Sequence, residues 1–305
     1  MNYKVINLRN HIANETIYCL GFFDGLHLGH QELIKKTIKL AKKYNKRAGL
    51  LTFTSYGNTK ISKHNTNKVI LTNHDKNKIL ESYELDLLTY IEFDKECMET
   101  SKEDFISFLK EELNCFGVVV GTDYRFGYKG EGNTTFLKTQ ESKNFIVNVI
   151  NPLKIDNEVV STTKIIDYLR LGNIEKVNQY LGRNYSISGV VKEGFHVGTT
   201  LEFPTANVEF DDNLIAPLFG VYGVKVFVDN KEYLGISNIG IRPSINTLDH
   251  PLIETNIFDY HGDLYDKKIK IEFIYFIRKE KKFNSINELK EQIKLDKEIF
   301  LSYIK

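Results

Sequence analysis

Short apolar runs alternate with segments of three-to-four-residue apolar spacing over the first 182 residues. "TIYCLGFF" (16–23) reads as a buried strand. "HQELIKKTIKLAKKYNK" (30–46) then places Leu33, Ile34, Ile38 and Ala41 on one helical face. "RAGLLTF" (47–53), "FGVVVG" (116–121) and "NFIVNVI" (144–150) read as further strands. Ahead of the second of these, "SKEDFISFLKEEL" opens with a Ser101-to-Asp104 capping pattern. Strands and helices at this rhythm predict a parallel sheet covered on both faces, with ligands bound beyond the carboxyl ends of its strands. The polar stretch 54–68 breaks the rhythm and reads as a long surface loop.

Two short helices in "STTKIIDYLRLGNIEKVNQYLG" (161–182) close this first domain, with Gly182 as the stop. Beyond them the period changes. "YSISGVVKEG", "LFGVYGVKVFVDN", "KEYLGISNIG", "IETNIFDY" and "DKKIKIEFIYFIRKE" are strands joined by Gly, Asn and Asp, which predicts an antiparallel barrel. A final helix begins at a Ser285/Glu288 capping box and carries an apolar stripe of Ile286, Leu289, Ile293 and Phe300. The expectation is two domains, 1–182 and 183–305: an α/β parallel-sheet domain, then an antiparallel β-barrel with a C-terminal helix.

Composition narrows the class. The 305 residues are 42% hydrophobic and 27% charged with a net charge of +1, so no global basic field points to nucleic acid or a membrane surface. The lysines from Lys35 to Lys46 read as a solvated helix face. Three scattered cysteines, Cys19, Cys97 and Cys115, form no CxxC pair and fit a reducing compartment. No signal-peptide pattern or bilayer-length apolar run occurs, so the expected location is the cytoplasm.

Chemistry concentrates first in "LGFFDGLHLGHQELI" (20–34), where His27 and His30 stand at a strand-to-helix junction. Two histidines at this spacing read as zinc ligands, as phosphate donors or as part of an ordinary turn. A helix N-terminus offers free N–H groups and partial positive charge, and Gly25 and Gly29 admit a close ligand, which favours phosphate. Gly21-x-Phe23-Asp24-Gly25-x-His27-x-Gly29-His30 resembles the phosphate-binding signature of the HxGH nucleotidyltransferases. The flanking residues resemble their bifunctional riboflavin kinase/FMN adenylyltransferase branch. Gly121-x-Asp123-Tyr124-Arg125-Phe126-Gly127, Ser161-Thr162-Thr163 and Leu181-Gly182-Arg183 resemble further segments of that branch.

In the second domain Phe203-Pro204-Thr205-Ala206-Asn207 resembles the Mg-ATP-binding P-T-A-N segment of the flavokinases. Asn238-Ile239-Gly240-x-Arg242-Pro243 resembles their NIGxRPT, and Ile253 to Asp259 their vExhixDF. The resemblance implies phosphorylation of riboflavin to FMN by ATP, then adenylylation of FMN to FAD, with Mg²⁺ shielding phosphates. It implies that His27 and His30 hold the transferring phosphate, that Gly21, Phe23, Asp24, Gly25, Gly29, Ser161, Thr162, Lys164 and Gly198 serve ATP, and that Asp123, Phe126 and Arg242 serve flavin. Thr205 and Asn207 would bind Mg-ATP, and Glu254 would be the kinase base.

The chain departs from the family pattern at several places. Thr54–Gly57 replaces a Pro-rich turn, Ile166 stands in place of an arginine, and Thr199, Glu202, Ser244 and Asp266 replace Arg, Gly, Thr and Gly. These departures imply two alternatives: a flavokinase with a weakened or lost adenylyltransferase, or a non-catalytic flavin or nucleotide sensor on the same scaffold.

Overall fold

The computed structural model describes residues 1–9, 14–54, 68–192, 205–241 and 251–305. The chain divides into two compact units, Met1–Thr162 and Thr163–Lys305.

The first unit is built on a six-stranded sheet. It comprises β1 (Tyr3–Asn7), β2 (Thr16–Leu20), β3 (Arg47–Phe53), β4 (Leu87–Ile91), β5 (Cys115–Gly121) and, after two short strands, β8 (Ile146–Ile150). The order is β1-β4-β3-β2-β5-β8; every pair is parallel except β1 with β4. The short strands are β6 (Arg125–Phe126) and β7 (Gly132–Asn133), and a second hairpin pairs β9 (Lys154–Ile155) with β10 (Glu158–Val159).

From β2 the chain winds through β3 and β4 to one side, then crosses to β5 and β8 on the other. The strand order therefore reverses between β2 and β5, which is where open α/β sheets form their ligand crevice. Alternation along β2 supplies both sheet faces: Ile17 and Cys19 enter one core, Tyr18 and Leu20 the other.

Helix α1 (Leu28–Tyr44) buries Leu33, Ile34, Thr37, Leu40 and Ala41 against the sheet. The line expected from sequence is present, shifted to include Thr37, while Ile38 sits half-buried at its edge. Helices α2 (Asn73–Glu81), α3 (Lys95–Glu99), α4 (Lys102–Ser107) and α5 (Thr134–Thr139) complete the unit. The Ser101 cap is formed: its hydroxyl accepts from Asp104 N at 3.0 Å. Edge strand β1 carried no sequence signal, because it has no buried face: its residues are exposed except for the half-buried Ile6.

Helix α6 (Thr162–Leu171) begins at the last residue of the first unit and otherwise belongs to the second, where it and α7 (Ile174–Leu181) precede a closed antiparallel barrel. Its strands are β11 (Tyr185–Lys192), β12 (Thr205–Glu209), β13 (Gly220–Val228), β14 (Lys231–Ile241), β15 (Pro251–Ile257) and β16 (Lys268–Lys279), in the order β11-β12-β15-β14-β13-β16. The two helices pack with this barrel. Asn178 donates to the Phe273 carbonyl at 2.9 Å and accepts from Tyr185 N at 2.7 Å, and Leu218 N reaches the Leu169 carbonyl at 2.8 Å. Asp229 and Asn230, at φ 51° and 60°, form the tight turn that sets the β13–β14 register.

Helix α8 (Ile286–Tyr303) closes the chain, and Ser285 caps it by accepting from Glu288 N at 3.2 Å. Its inward face differs from the apolar stripe. Phe300 is fully buried, but Ile286 is 59% exposed and Asp296 is 1% exposed. The reason is electrostatic: Arg278 of β16 forks onto Asp296 at 2.9 and 2.8 Å, and Gln292 adds a third bond at 3.0 Å. Counting apolar periodicity cannot find a face centred on a carboxylate.

Candidate functional site

In the first unit the chain leaves β2 and enters α1 through residues 21–27. Three of these hold left-handed backbone: Phe23 (φ 51°), Gly25 (φ 71°) and Leu26 (φ 45°). That conformation costs of order 1–3 kcal/mol at a non-glycine residue and persists only where packing enforces it. Here Phe23 and Leu26 are fully buried in the core between the sheet and α1. The two apolar side chains act as anchors for a strained loop.

His27 is the N-cap of α1. Its backbone is extended, and its Nδ1 accepts from His30 N at 3.3 Å. An accepting Nδ1 puts the proton of the neutral ring on Nε2, leaving Nε2–H as a donor. The His30 ring stacks on it with centroids 3.6 Å apart and an interplanar angle of 16°. A side chain at position 29 would put its Cβ 3.1 Å from His27 Cε1, so Gly29 is what lets the imidazole fold back over the helix start. Among the described residues, no cluster of three His, Cys, Asp or Glu side chains could hold a metal ion.

Asp24 braces the loop from below. It is 6% exposed and accepts from Ile70 N at 2.9 Å. Burial pushes its carboxyl from the ordinary 3.8 up to about 6, against the opposing pull of that hydrogen bond and of Lys76. Lys76 on α2 is 5% exposed, and burial lowers its amine to about 8 while Asp24 pulls it back up. The two are ionised together between about pH 6 and pH 8.

The sign for Asp24 follows from its raised value. Folding disfavours the carboxylate, so unfolding free energy is expected to fall as pH rises from 3.8 through about 6. The loss amounts to about 3 kcal/mol for two pKa units. In Asp24→Asn, which keeps an acceptor for Ile70, that fall should be absent from denaturant titrations compared at pH 4 and pH 7. An unchanged slope would mean that Asp24 is ionised at no cost.

Thr162 joins this site across 138 residues of chain: its hydroxyl lies 3.5 Å from the Asp24 carbonyl. Lys164 is half-buried in the first turn of α6. Ile166, at the position of the expected arginine, is 4% exposed and serves as core. Thr54 donates its N–H to the Ile91 carbonyl at 3.0 Å, while Ser55 to Gly57 lie outside the described residues.

At the end of β5, Thr122, Asp123, Arg125, Asn133, Thr134 and Thr135 line a cavity of about 540 Å³. Asp123 is exposed there. Phe126 is not at its surface: it is 7% exposed and packs on Phe105, Tyr124 and Phe136 beneath the loop. Arg125 and Asn133 were not singled out from sequence, although Arg125 lies inside the motif that flagged Asp123. Lys76 left no sign beyond its place one turn before the buried Leu80.

In the second unit, register assembles the other site. Asn207 on β12 stands directly opposite Glu254 on β15, Thr205 opposite Asn256, and Asn238 on β14 opposite Glu254 from the other side. The alternate residues, Ser237 and Thr255, pair their hydroxyls at 2.8 Å inside the barrel. Asn207, Glu254 and Asn238 therefore share the outer face. Glu254 and Thr205 are exposed, and Asn207 is 8% exposed.

Asp266, where the family pattern has glycine, adopts φ 58°, a left-handed turn that Asp tolerates. Gly198, Thr199, Glu202, Arg242 and Ser244 lie outside the described residues.

The family model for FAD synthetase matches residues 9–164, and that for riboflavin kinase matches residues 181–304. The bifunctional riboflavin kinase/FMN adenylyltransferase of Buchnera aphidicola (strain Sg) is 37% identical over 303 residues, covering 97% of this chain and 96% of its own. The protein of that description from Bacillus subtilis is 32% identical, covering 95% and 92%. A crystal structure described as a macrolide-efflux protein from Streptococcus pneumoniae matches with TM-score 0.85 and 26% identity over 96% of each chain. Among the described residues no helix is long and apolar enough to cross a membrane. With both family models matched in order, and relatives above 30% identity along nearly all its length, the chain belongs to the bifunctional riboflavin kinase/FMN adenylyltransferases, transferases of flavin cofactor biosynthesis.

Proposed function

We propose that residues 1–182 adenylylate FMN and residues 183–305 phosphorylate riboflavin, both from ATP and in the cytoplasm. One observation supports this most: in each unit, motifs far apart in sequence meet. Thr162 reaches the Asp24 carbonyl, and Asn207 and Glu254 face each other across one strand pair.

For the first reaction, a phosphate oxygen of FMN attacks the α-phosphorus of ATP and pyrophosphate leaves. No covalent enzyme intermediate is needed, so the protein supplies position and charge stabilisation. The α1 N-terminus and the donors of His27 and His30 hold the transferring phosphate. Gly21, Phe23, Asp24, Gly25 and Gly29 shape the loop that presents them. Ser161 and Thr162 hydroxyls bind the remaining phosphates, and Asp123, on the cavity beyond β5, binds flavin over a wall braced by Phe126. With Ile166 in the core, the phosphate charge is met by these donors and not by an arginine at that position.

For the second reaction, Glu254 takes the proton of the riboflavin 5′-hydroxyl as its oxygen attacks the γ-phosphorus, and ADP leaves. Thr205 and Asn207 present neutral oxygens on one face of β12 beside the Glu254 carboxylate, a hard donor set that fits Mg²⁺ bound with nucleotide. Mg²⁺ held there would shield the phosphate charges. Gly198 and Arg242 complete the nucleotide and flavin contacts in this reading.

The test is a pair of chromatographic assays: FMN from riboflavin and MgATP, and FAD from FMN and MgATP. Both products are expected. FMN without FAD would reduce the protein to a flavokinase. Neither product, with tight flavin binding, would make it a sensor.

A further inference from the structure

Glu254 does not stand alone on the barrel face. Asn207 faces it from β12 and Asn238 from β14, so the carboxylate sits between two carboxamides, each on a directly paired strand. Directly opposed side chains on one sheet face have Cβ atoms about 4.5–5.5 Å apart. Asn238 is itself held from behind: its Nδ2 donates to Glu280 Oε1 at 3.4 Å, across from the end of β16. A carboxylate oxygen only accepts, so this contact fixes which end of the Asn238 amide points which way.

Gly240 makes the contact feasible. It lies two residues along β14 on the same face as Asn238, and a Cβ there would sit 2.0 Å from Glu280 Oε1. Any larger residue would push the Glu280 carboxylate off the strand. Asn238, Gly240 and Glu280 thus act as one device: a glycine gap, a carboxylate in the gap, and an amide oriented by it.

We propose that Asn238 and Glu280 form a positioning pair for Glu254, fixing the amide that borders the kinase base. The proposal rests on the reading of Glu254 as that base. Among the described residues, the charged groups beside this face on the paired strands include Lys192, opposite Asn207 on β11, and Glu209, two residues along β12 from Asn207. Arg278 is engaged by Asp296.

The experiment measures kcat and KM of FMN formation in the full chain, with FAD formation from supplied FMN and the thermal midpoint as fold controls. Asn238→Ala and Glu280→Ala are each expected to lower kcat on the order of tenfold, with KM for riboflavin and ATP little changed, because misplacing a reacting group costs rate more than binding. Glu280→Gln keeps an acceptor and should restore most of the rate.

Equal loss in Glu280→Ala and Glu280→Gln, or a change in KM alone, would overturn the proposal and leave Glu280 as a tie between strands. Normal FMN formation by Glu254→Gln would remove the base itself. Loss in Glu254→Gln with wild-type kcat in both alanine variants would overturn the pair while sparing the base.

Discussion

Replacing Glu254 by glutamine is expected to reduce FMN formation by about 10²–10⁴-fold, the usual worth of a general base. The substitution keeps shape and strand propensity and removes only the ability to take a proton. Glu254 is exposed on β15, so the fold should change by no more than about 0.5 kcal/mol. FAD formation from supplied FMN belongs to the other unit and should continue at the wild-type rate. That pattern, loss of one product and retention of the other, separates chemistry from misfolding. Unchanged FMN production by this variant would remove Glu254 as the base.

The second large effect is expected at the paired histidines. His27 has two duties: Nδ1 caps α1, and the neutral ring carries its proton on Nε2, where it is a donor. Alanine would remove both, losing about 1 kcal/mol of cap energy along with the donor. Asparagine is a good N-cap and lacks the distal N–H, so His27→Asn isolates the second duty. FAD formation by His27→Asn and by His30→Ala should each fall by about 10²–10³-fold, the cost of deleting one donor to a developing phosphate charge. FMN formation and the thermal midpoint of His27→Asn should stay close to wild type. Full FAD formation by His27→Asn would leave capping as the only role of that imidazole.

Both sites were legible in sequence to different depths. The loop at 21–30 announced itself because its chemistry is local: glycines, a strand end, a helix start and two imidazoles fall within ten residues. Its strain was not legible. Nothing in "FFDGL" says that Phe23 and Leu26 take left-handed backbone, since that depends on the core that buries them. Asp24 reads as an ATP-serving residue of the motif, yet its partners Ile70 and Lys76 come from some fifty residues downstream. The departure at Ile166 was visible as a missing charge, and packing explains what the residue does instead: it fills core.

The barrel site shows the same limit. Thr205, Asn207 and Glu254 could be named from motifs, but opposition of Asn207 to Glu254 is a property of register, and register is set by hairpin turns and by which face is buried. Asn238 and Gly240 were visible as a motif without a reason. The reason is Glu280, forty residues away, filling the space that the glycine leaves.

By itself the sequence determined the parallel sheet, the barrel, the closing helix and the residue types able to hold phosphate and take a proton. These follow from periodicity and local chemistry, which act over one or two turns of chain. Tertiary structure decided the exposed edge strand β1, the carboxylate-centred face of α8, the clamped loop beneath His27 and the two amides flanking Glu254. Each depends on a partner distant in sequence, and burial or strand pairing, not spacing, selects that partner.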